Sequence, residues 1–476
     1  MLRQKSVKFG AAIVSMIAAV IATPSHALPS FAKQTNKACS ACHFQNYPML
    51  TDYGRAFKAS GFTEIYDEKT REGSDGAALS IPIVLNAAWF GSMRIDRYSG
   101  NSSIGVDPVT GAAVPSYANF TSITLPEESS LFIGGRVGSH VGFHSETKLR
   151  PSAGLSALKL PFWFPLNDST RVLVVPFAAD THGPSYGFET LNTGASDIHL
   201  TFENAGQTSA QAYLGATNTG ATGIAAVLWN PKYYLGYTRW AATAGPAGIG
   251  SNYAPGAGIQ AGKTPGSNYF RGVYFLPTRG WDTAIGVQVI SGRGASPFDS
   301  TNPPAGPPDA SGNPTFLYYS GPEIDTKYWS IDAQIQGAIG SHLLGVYFTH
   351  GEAAASGSNG NLFNPVMTDS TGNVISGKKK TATTLTTSFG LIPGKINVTA
   401  GIMIANNGLD SSKTTTPTSD NAFTFGVLYL FTQNVKFLFE TTRLQNPGAL
   451  DGVFDNNGHQ ASGIKQKMTG KLFYDF

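Results

Sequence analysis

The chain's two cysteines stand together in Ala38-Cys39-Ser40-Ala41-Cys42-His43. Cys-x-x-Cys-His is the spacing of a covalently attached c-type haem. Each residue type has a task in that chemistry. Two thiols add across the two haem vinyl groups, and a His directly after the second thiol lies against the iron as proximal ligand. The expected cofactor is therefore one covalent haem c, carried by Cys39 and Cys42, with His43 on the metal. Three other readings use the same residues. A thioredoxin-like redox pair needs a βαβ context, whereas polar and helical sequence and then hundreds of strand-like residues follow here. A structural zinc site needs four ligands, and Cys39, Cys42 and His43 leave one missing with no local candidate. A local disulfide in an exported chain stays open.

Residues 1–27 carry Arg3, Lys5 and Lys8, an apolar run over 10–22, and then Ser25-His26-Ala27. This predicts a secretory signal peptide cleaved after Ala27. Its apolar run is too short for a membrane helix, and no other stretch approaches the roughly 20 apolar residues a spanning helix requires. The formal net charge is +3, and the three signal-peptide cations account for it. A balance near zero gives no electrostatic case for nucleic acid. The composition is 13% charged residues, 11% aromatic and 55 Gly, against a usual charged share of about 25%. Few charges without long apolar runs is the profile of a transmembrane β-barrel, in which every strand dilutes a lipid face with a polar lumen face.

The elements around the motif follow from the pattern. Residues 28–65 read as a small helical leader: an extended start, the Cys-x-x-Cys-His motif, a break at Tyr47-Pro48 and a short helix over 50–61. Leu50, Tyr53, Phe57 and Phe62 fall near helical spacing and would offer the haem an apolar face. A segment of fewer than about 50 residues buries little surface alone, so its haem and whatever follows must support it. Residues 66–77 are charged and Gly-bearing and read as a linker. From residue 78 to 476 the period changes to two. Leu79, Ile81, Ile83 and Leu85, then Leu131, Ile133, Val137, Val141 and Phe143, alternate with polar neighbours, as do Trp329, Ile331, Ala333 and Ile335 with Ser330, Asp332 and Gln334.

A soluble sandwich also alternates, so connection lengths decide. Tight turns at 277–280, 339–341, 393–394 and 432–434 alternate with long Gly/Ser/Asn/Pro-rich segments near 98–128, 242–267, 292–326, 351–380, 406–420 and 445–463. Short turns on one side and long loops on the other characterise an outer-membrane barrel. The expected fold class is all-β: a barrel of about sixteen antiparallel strands, with the helical leader plugging the lumen. The strands are expected near 78–97, 129–149, 170–179, 195–204, 209–218, 223–229, 232–241, 268–276, 281–291, 327–338, 342–350, 381–391, 395–405, 421–431, 434–444 and 464–476. The stretch 150–169 fits this scheme poorly. Met468, Leu472, Tyr474 and the terminal Phe476 share one face, resembling the C-terminal signal that outer-membrane barrels present to their assembly machinery.

Within the leader, Pro29, Phe31, Gln34-Thr35, Cys39-Ser40-Ala41-Cys42-His43, Pro48, Leu50-Thr51, Gly54-Arg55, Phe57-Lys58 and Gly61-Phe62 resemble the N-terminal signature of fused outer-membrane cytochrome–porins. The resemblance is dense over 29–62; over the barrel only the architecture matches. It implies a monohaem cytochrome joined to a sixteen-stranded barrel in the outer membrane of a Gram-negative bacterium, with the cytochrome on the periplasmic side or inside the barrel. The implied activity is oxidation of extracellular Fe(II), with electrons passed to a periplasmic carrier, either a c-type cytochrome or a cupredoxin. Two other functions stay open: a haem-bearing solute porin, and a conduit for another donor.

The sixth iron ligand has several candidates. Met49 lies six residues from His43; His140 and His144 are expected on one strand facing the lumen; His199 and Met403 also point inward by alternation. For Fe(II) itself, Asp180 with His182, and Asp451 with Asp455 and His459, supply oxygen and imidazole ligands in expected outer loops. No Ser-His-Asp ordering, phosphate loop or paired-carboxylate signature argues for a hydrolase or kinase.

Overall fold

The structure is a computed structural model that describes residues 30–66, 70–71, 81–82, 86–100, 103–106, 113–116, 119–150, 154–180, 182–193, 202–217, 219–242, 266–295, 323–357, 360–367, 373–446 and 463–475. The expected signal peptide, most of the linker, His199, and the group Asp451, Asp455 and His459 lie outside the described residues.

Alternation in sequence becomes a wall with two chemistries. On the strand Tyr328–Ile339, Trp329, Ile331 and Ile335 are about 40% exposed, at 38%, 43% and 42%, while Ser330, Asp332, Gln334 and Gln336 are buried. The same inversion recurs around the molecule: Ile95, Ile123, Leu125, Ile224, Phe270, Ile285, Ile402 and Phe423 face outward, and Thr384, Thr399, Thr424, Glu440 and Thr469 face inward. An apolar exterior around a polar interior is stable only in an apolar surrounding, which is the condition of a barrel in lipid.

Sixteen antiparallel strands close the wall: β1 Ala87–Gly100, β2 Phe120–Gly138, β3 Val141–Arg150, β4 in two pieces (Gly154–Lys159 and Phe162–Pro165), β5 Arg171–Ala179, β6 Ala221–Asn230, β7 Tyr233–Ala242, β8 Ser267–Leu276, β9 Trp281–Ala295, β10 Tyr328–Ile339 with its short extension Glu323–Asp325, β11 His342–Ala353, β12 Ser376–Ile392, β13 Ile396–Leu409, β14 Ala422–Leu430, β15 Val435–Leu444 and β16 Ile464–Asp475. The last strand pairs with the first, Met468 with Arg97 and Tyr474 with Gly91, so no edge remains. Seven short connections share one end, at 139–140, 166–170, 231–232, 277–280, 340–341, 393–395 and 431–434.

The count of sixteen agrees with expectation, but five assignments change. The expected strand 129–149 is a hairpin: β2 and β3 meet at the tight turn Ser139-His140. The poorly fitting stretch 150–169 is β4, broken at Leu160-Pro161, where Pro161 has no N–H for the ladder and its carbonyl instead accepts from Gly142. The described part of the expected strand 195–204, residues 202–204, is not strand, and in the described part of 209–218 Ala210–Tyr213 is helix followed by a turn; both belong to a segment that turns into the lumen. The barrel also starts at Ala87 rather than at 78. Ile81–Pro82 pairs instead with Thr70–Arg71.

Closure by backbone hydrogen bonds resists detergent more than side-chain packing does. The protein is therefore expected to run as a compact species on a mild detergent gel when unheated and to shift on boiling. Purification as a detergent-free soluble protein would contradict this.

Residues 30–66 lie at the short-turn end, inside the wall. They form α1 (Ser30–Thr35), α2 (Cys39–Cys42) and α3 (Asp52–Ala59). Their anchors are all near short turns. Arg55 grips Asp282 with two bonds of 2.6 and 2.9 Å, Gln45 donates to the Leu343 and Ser388 carbonyls, and Trp163 donates to Thr63. Gly142 permits the closest approach, because a Cβ there would strike the Gly61 carbonyl.

Candidate cofactor site

The motif is one turn of helix. Cys39 and Cys42, three residues apart on α2, share a face, are half-buried and are both free thiols. His43 leaves the helix in extended conformation and pairs antiparallel with Leu50. That pairing brings its Nδ1 to 3.3 Å from the Met49 carbonyl oxygen. With the Nδ1 proton donated there, the Nε2 lone pair is the one presented to a metal, the arrangement by which an outer partner orients a ligating histidine. Burial lowers the His43 pKa to about 4, so the ring is neutral at pH 7. Burial also raises the Cys39 thiol and pushes Cys42 up to about 11. Redox-active Cys-x-x-Cys pairs have depressed thiol pKa values, so these thiols do not resemble one. Two protonated thiols on one helical face followed by a neutral, oriented imidazole fit covalent haem c.

α3 holds the motif in place. Thr51 caps the helix by accepting from the Gly54 N–H at 3.2 Å, and the same hydroxyl donates to the Ala41 carbonyl at 2.7 Å. Its own N–H donates to the Cys42 carbonyl at 3.0 Å. Gly54 lies directly over that carbonyl, which a Cβ would overlap. The expected apolar face splits. Phe57 and Phe62 pack on Phe31 at ring separations of 5.3 and 4.9 Å, whereas Tyr53 donates to Glu64 at 2.6 Å and the Leu50 N–H bonds Asn192. Helical spacing fails past Ala59 because the chain turns there, with Gly61 and Phe62 both at positive φ.

The remaining candidates are scattered. Met49 is fully buried against Phe44 and Tyr347, its sulfur accepting from the Tyr347 hydroxyl at 3.1 Å, and its carbonyl lies on the Nδ1 side of His43. His140 is not on a strand: it is exposed in the β2–β3 turn, with its ring 4.5 Å from Trp163. His144 does face inward, on β3, where it meets Phe31, Phe62 and Phe132 and lies 3.2 Å from the Tyr186 hydroxyl. Met403 packs with Ala210, Ala382 and Ala422. It stands four residues beyond Thr399, the partner of Ser388, which the leader touches. That is roughly 13 Å further along the strand. Asp180 is bound to Lys148 at 2.8 Å, and His182 stacks on Tyr186. Among the described residues, no group of three or more metal-ligating side chains converges.

What the sequence reading missed is a strap through the lumen, seen in the described residues 182–193 and 202–217. On the β8–β10 wall, Glu189 and Asp332 both bind Arg271, Tyr234 donates to Glu189, and the Asn192 N–H donates to Gln334 at 2.9 Å. On the opposite wall Glu203 binds Arg94 and Lys471 at 2.8 and 3.0 Å, while the N–H groups of Glu203 and Asn204 donate to Glu440. Between them α4 (Ala205–Thr208) and α5 (Ala210–Tyr213) cross to β11 and β12, where Ala210 bonds Thr349 and Lys380 donates to the Tyr213 carbonyl. The strap touches the leader through Asn192 and Leu50.

The strand register and wall chemistry define the class: an outer-membrane type of closed β-barrel, here with an occupied lumen. Solved structures similar to the chain include the outer membrane channel DcaP of Acinetobacter baumannii, at 10% identity over 86% of this chain and 99% of that one, TM-score 0.43. OmpF of Salmonella typhi, solved with daunomycin, matches at 10% identity over 82% and 97%, TM-score 0.44. OprB of Pseudomonas putida matches at 9% over 83% and 94%, TM-score 0.44. No family model and no curated protein sequence matches the chain. The architecture therefore stands on its own strand pairing.

Proposed function

We propose that this protein is an electron conduit of the outer membrane, in which a haem c on Cys39, Cys42 and His43 accepts electrons from extracellular Fe(II) and yields them to a periplasmic carrier, a c-type cytochrome or a cupredoxin. The observation that carries this reading is a Cys-x-x-Cys-His turn inside a closed barrel, with a neutral His43 oriented by the Met49 carbonyl. When bound, haem supplies a one-electron redox centre.

The chain's own residues do the rest. Cys39 and Cys42 fix the group covalently, Met49 holds the imidazole in one tautomer, and Thr51 and Gly54 lock α3 onto the motif. Arg55, Gln45 and Trp163 then tie the leader to the wall. Strap and leader together occupy the lumen that a solute porin would leave open, which favours electron movement over diffusion of solutes. Insoluble ferric product is a further reason to oxidise iron outside the cell and keep the pore plugged.

The test begins with the cofactor. Purified protein is expected to keep peroxidase-staining haem on a denaturing gel, and Cys39→Ala with Cys42→Ala to abolish the stain while leaving the heat-shifted barrel band. Haem that washes out of the unmodified protein on denaturation would end the reading.

A further inference from the structure

Four of the cations buried in the lumen have a carboxylate partner: Arg55 binds Asp282, Arg271 binds Asp332, Lys471 binds Glu203, and Lys467 lies 3.6 Å from Asp96. Lys436 does not. Its side chain enters from the second residue of β15, and the residue is only 7% exposed. Its ammonium donates to the Tyr47 carbonyl at 3.0 Å and lies over the Phe473 and Tyr47 rings at 5.0 and 5.6 Å. Among the described residues no carboxylate comes within 4 Å of it. A desolvated ammonium with one neutral acceptor and two aromatic faces is under-compensated, because buried charges are stable when paired.

Its surroundings say which anion is missing. The Tyr47 ring packs edge-on against His43 at 5.2 Å, so the ammonium over that ring stands next to the residue that touches the proximal histidine. Asp475 on β16 forms no ion pair with it. Haem carries two propionate carboxylates on the edge away from its thioether links, and Lys436 reaches the motif through Tyr47, on the side of His43 rather than by contact with either cysteine. Resting on the haem reading above, we propose that Lys436 is the counter-ion of a haem propionate, a positioning residue that orients the macrocycle and raises its potential.

The experiment uses the full-length holoprotein in detergent, with Lys436→Gln, Lys436→Met and Lys436→Arg. Haem stain and the heat-shifted band report cofactor attachment and fold, and spectroelectrochemical titration reports the midpoint potential. Gln and Met are expected to keep the stain and the band and to shift the midpoint to lower potential, since losing a nearby cation favours the ferric form. Arg is expected to restore it. Resonance Raman of the unmodified protein should show the propionate bending band of a charge-paired group, a readout that needs no variant. An unchanged potential in Gln and Met with haem retained, or a band at the free-propionate position, overturns the assignment. Absence of haem stain in the unmodified protein instead defeats the haem reading, so the two failures are distinguishable.

Discussion

On the proposed haem reading, excess Fe(II) added to the detergent-solubilised protein is expected to reduce the haem within minutes, read as sharpening of the haem absorption bands, and His43→Ala to lose that reduction. Two arguments lead there. The chain has two cysteines, both in the motif, and among the described residues no cluster of metal ligands, so the proposed haem is the electron acceptor that the described residues offer. Axial ligation sets haem potential across about 0.8 V, so removing the imidazole that the Met49 carbonyl orients changes the driving force itself. Cys39 and Cys42 are unchanged in that variant, so a retained haem stain would separate loss of tuning from loss of cofactor. A haem reduced at once by dithionite but untouched by excess Fe(II) would keep the architecture and remove iron as donor.

The second large effect concerns the strap. Arg271→Met removes the guanidinium that Glu189 and Asp332 share, at 2.8 Å from the first and 2.5 and 2.9 Å from the second. All three groups are buried to 2% exposure or less as side chains. Breaking a buried pair by deleting one partner costs about 3–5 kcal/mol, chiefly as uncompensated charge left behind. Asp332 is fixed to the wall by its strand, whereas Glu189 belongs to the strap, so the strap is the element that can move away and rehydrate. The expected result is protease cleavage within 182–193 and a rise in planar-bilayer conductance, with the heat-shifted band retained because the strand ladder is untouched. Adding Glu189→Gln and Asp332→Asn should restore part of the closure by removing both orphaned charges. Equal protection and equal conductance in Arg271→Met would show that this triad does not hold the lumen shut.

Much of the barrel was legible because its signals are local. Trp329, Ile331 and Ile335 alternate with Ser330, Asp332 and Gln334 within seven residues, and the tight turns at 277–280 and 340–341 carry Gly280 and Gly340 at positive φ. Errors arose where the local signal was the same for two outcomes. The hairpin turn at Ser139-His140 interrupts the alternation of β2 and β3 so briefly that the pair read as one long strand. Residues 209–218 mix small and apolar residues much as a short strand does, yet Ser209 caps a helical turn by accepting from the Ala212 N–H at 3.3 Å.

The sequence alone determined the chemistry a site could have and the kind of wall around it. Cys39, Cys42 and His43 are adjacent in the chain, and a period of two needs no distant partner to be read. Only the tertiary structure decided which lumen groups face that site and what fills the lumen. Lys436 meets Tyr47 across 389 positions, Glu203 meets Glu440 across 237, and Arg55 meets Asp282 across 227. No local pattern encodes such pairs, because each is set by closure of the barrel and by how deeply the strap and leader settle into it, through charges that must find partners once water is excluded.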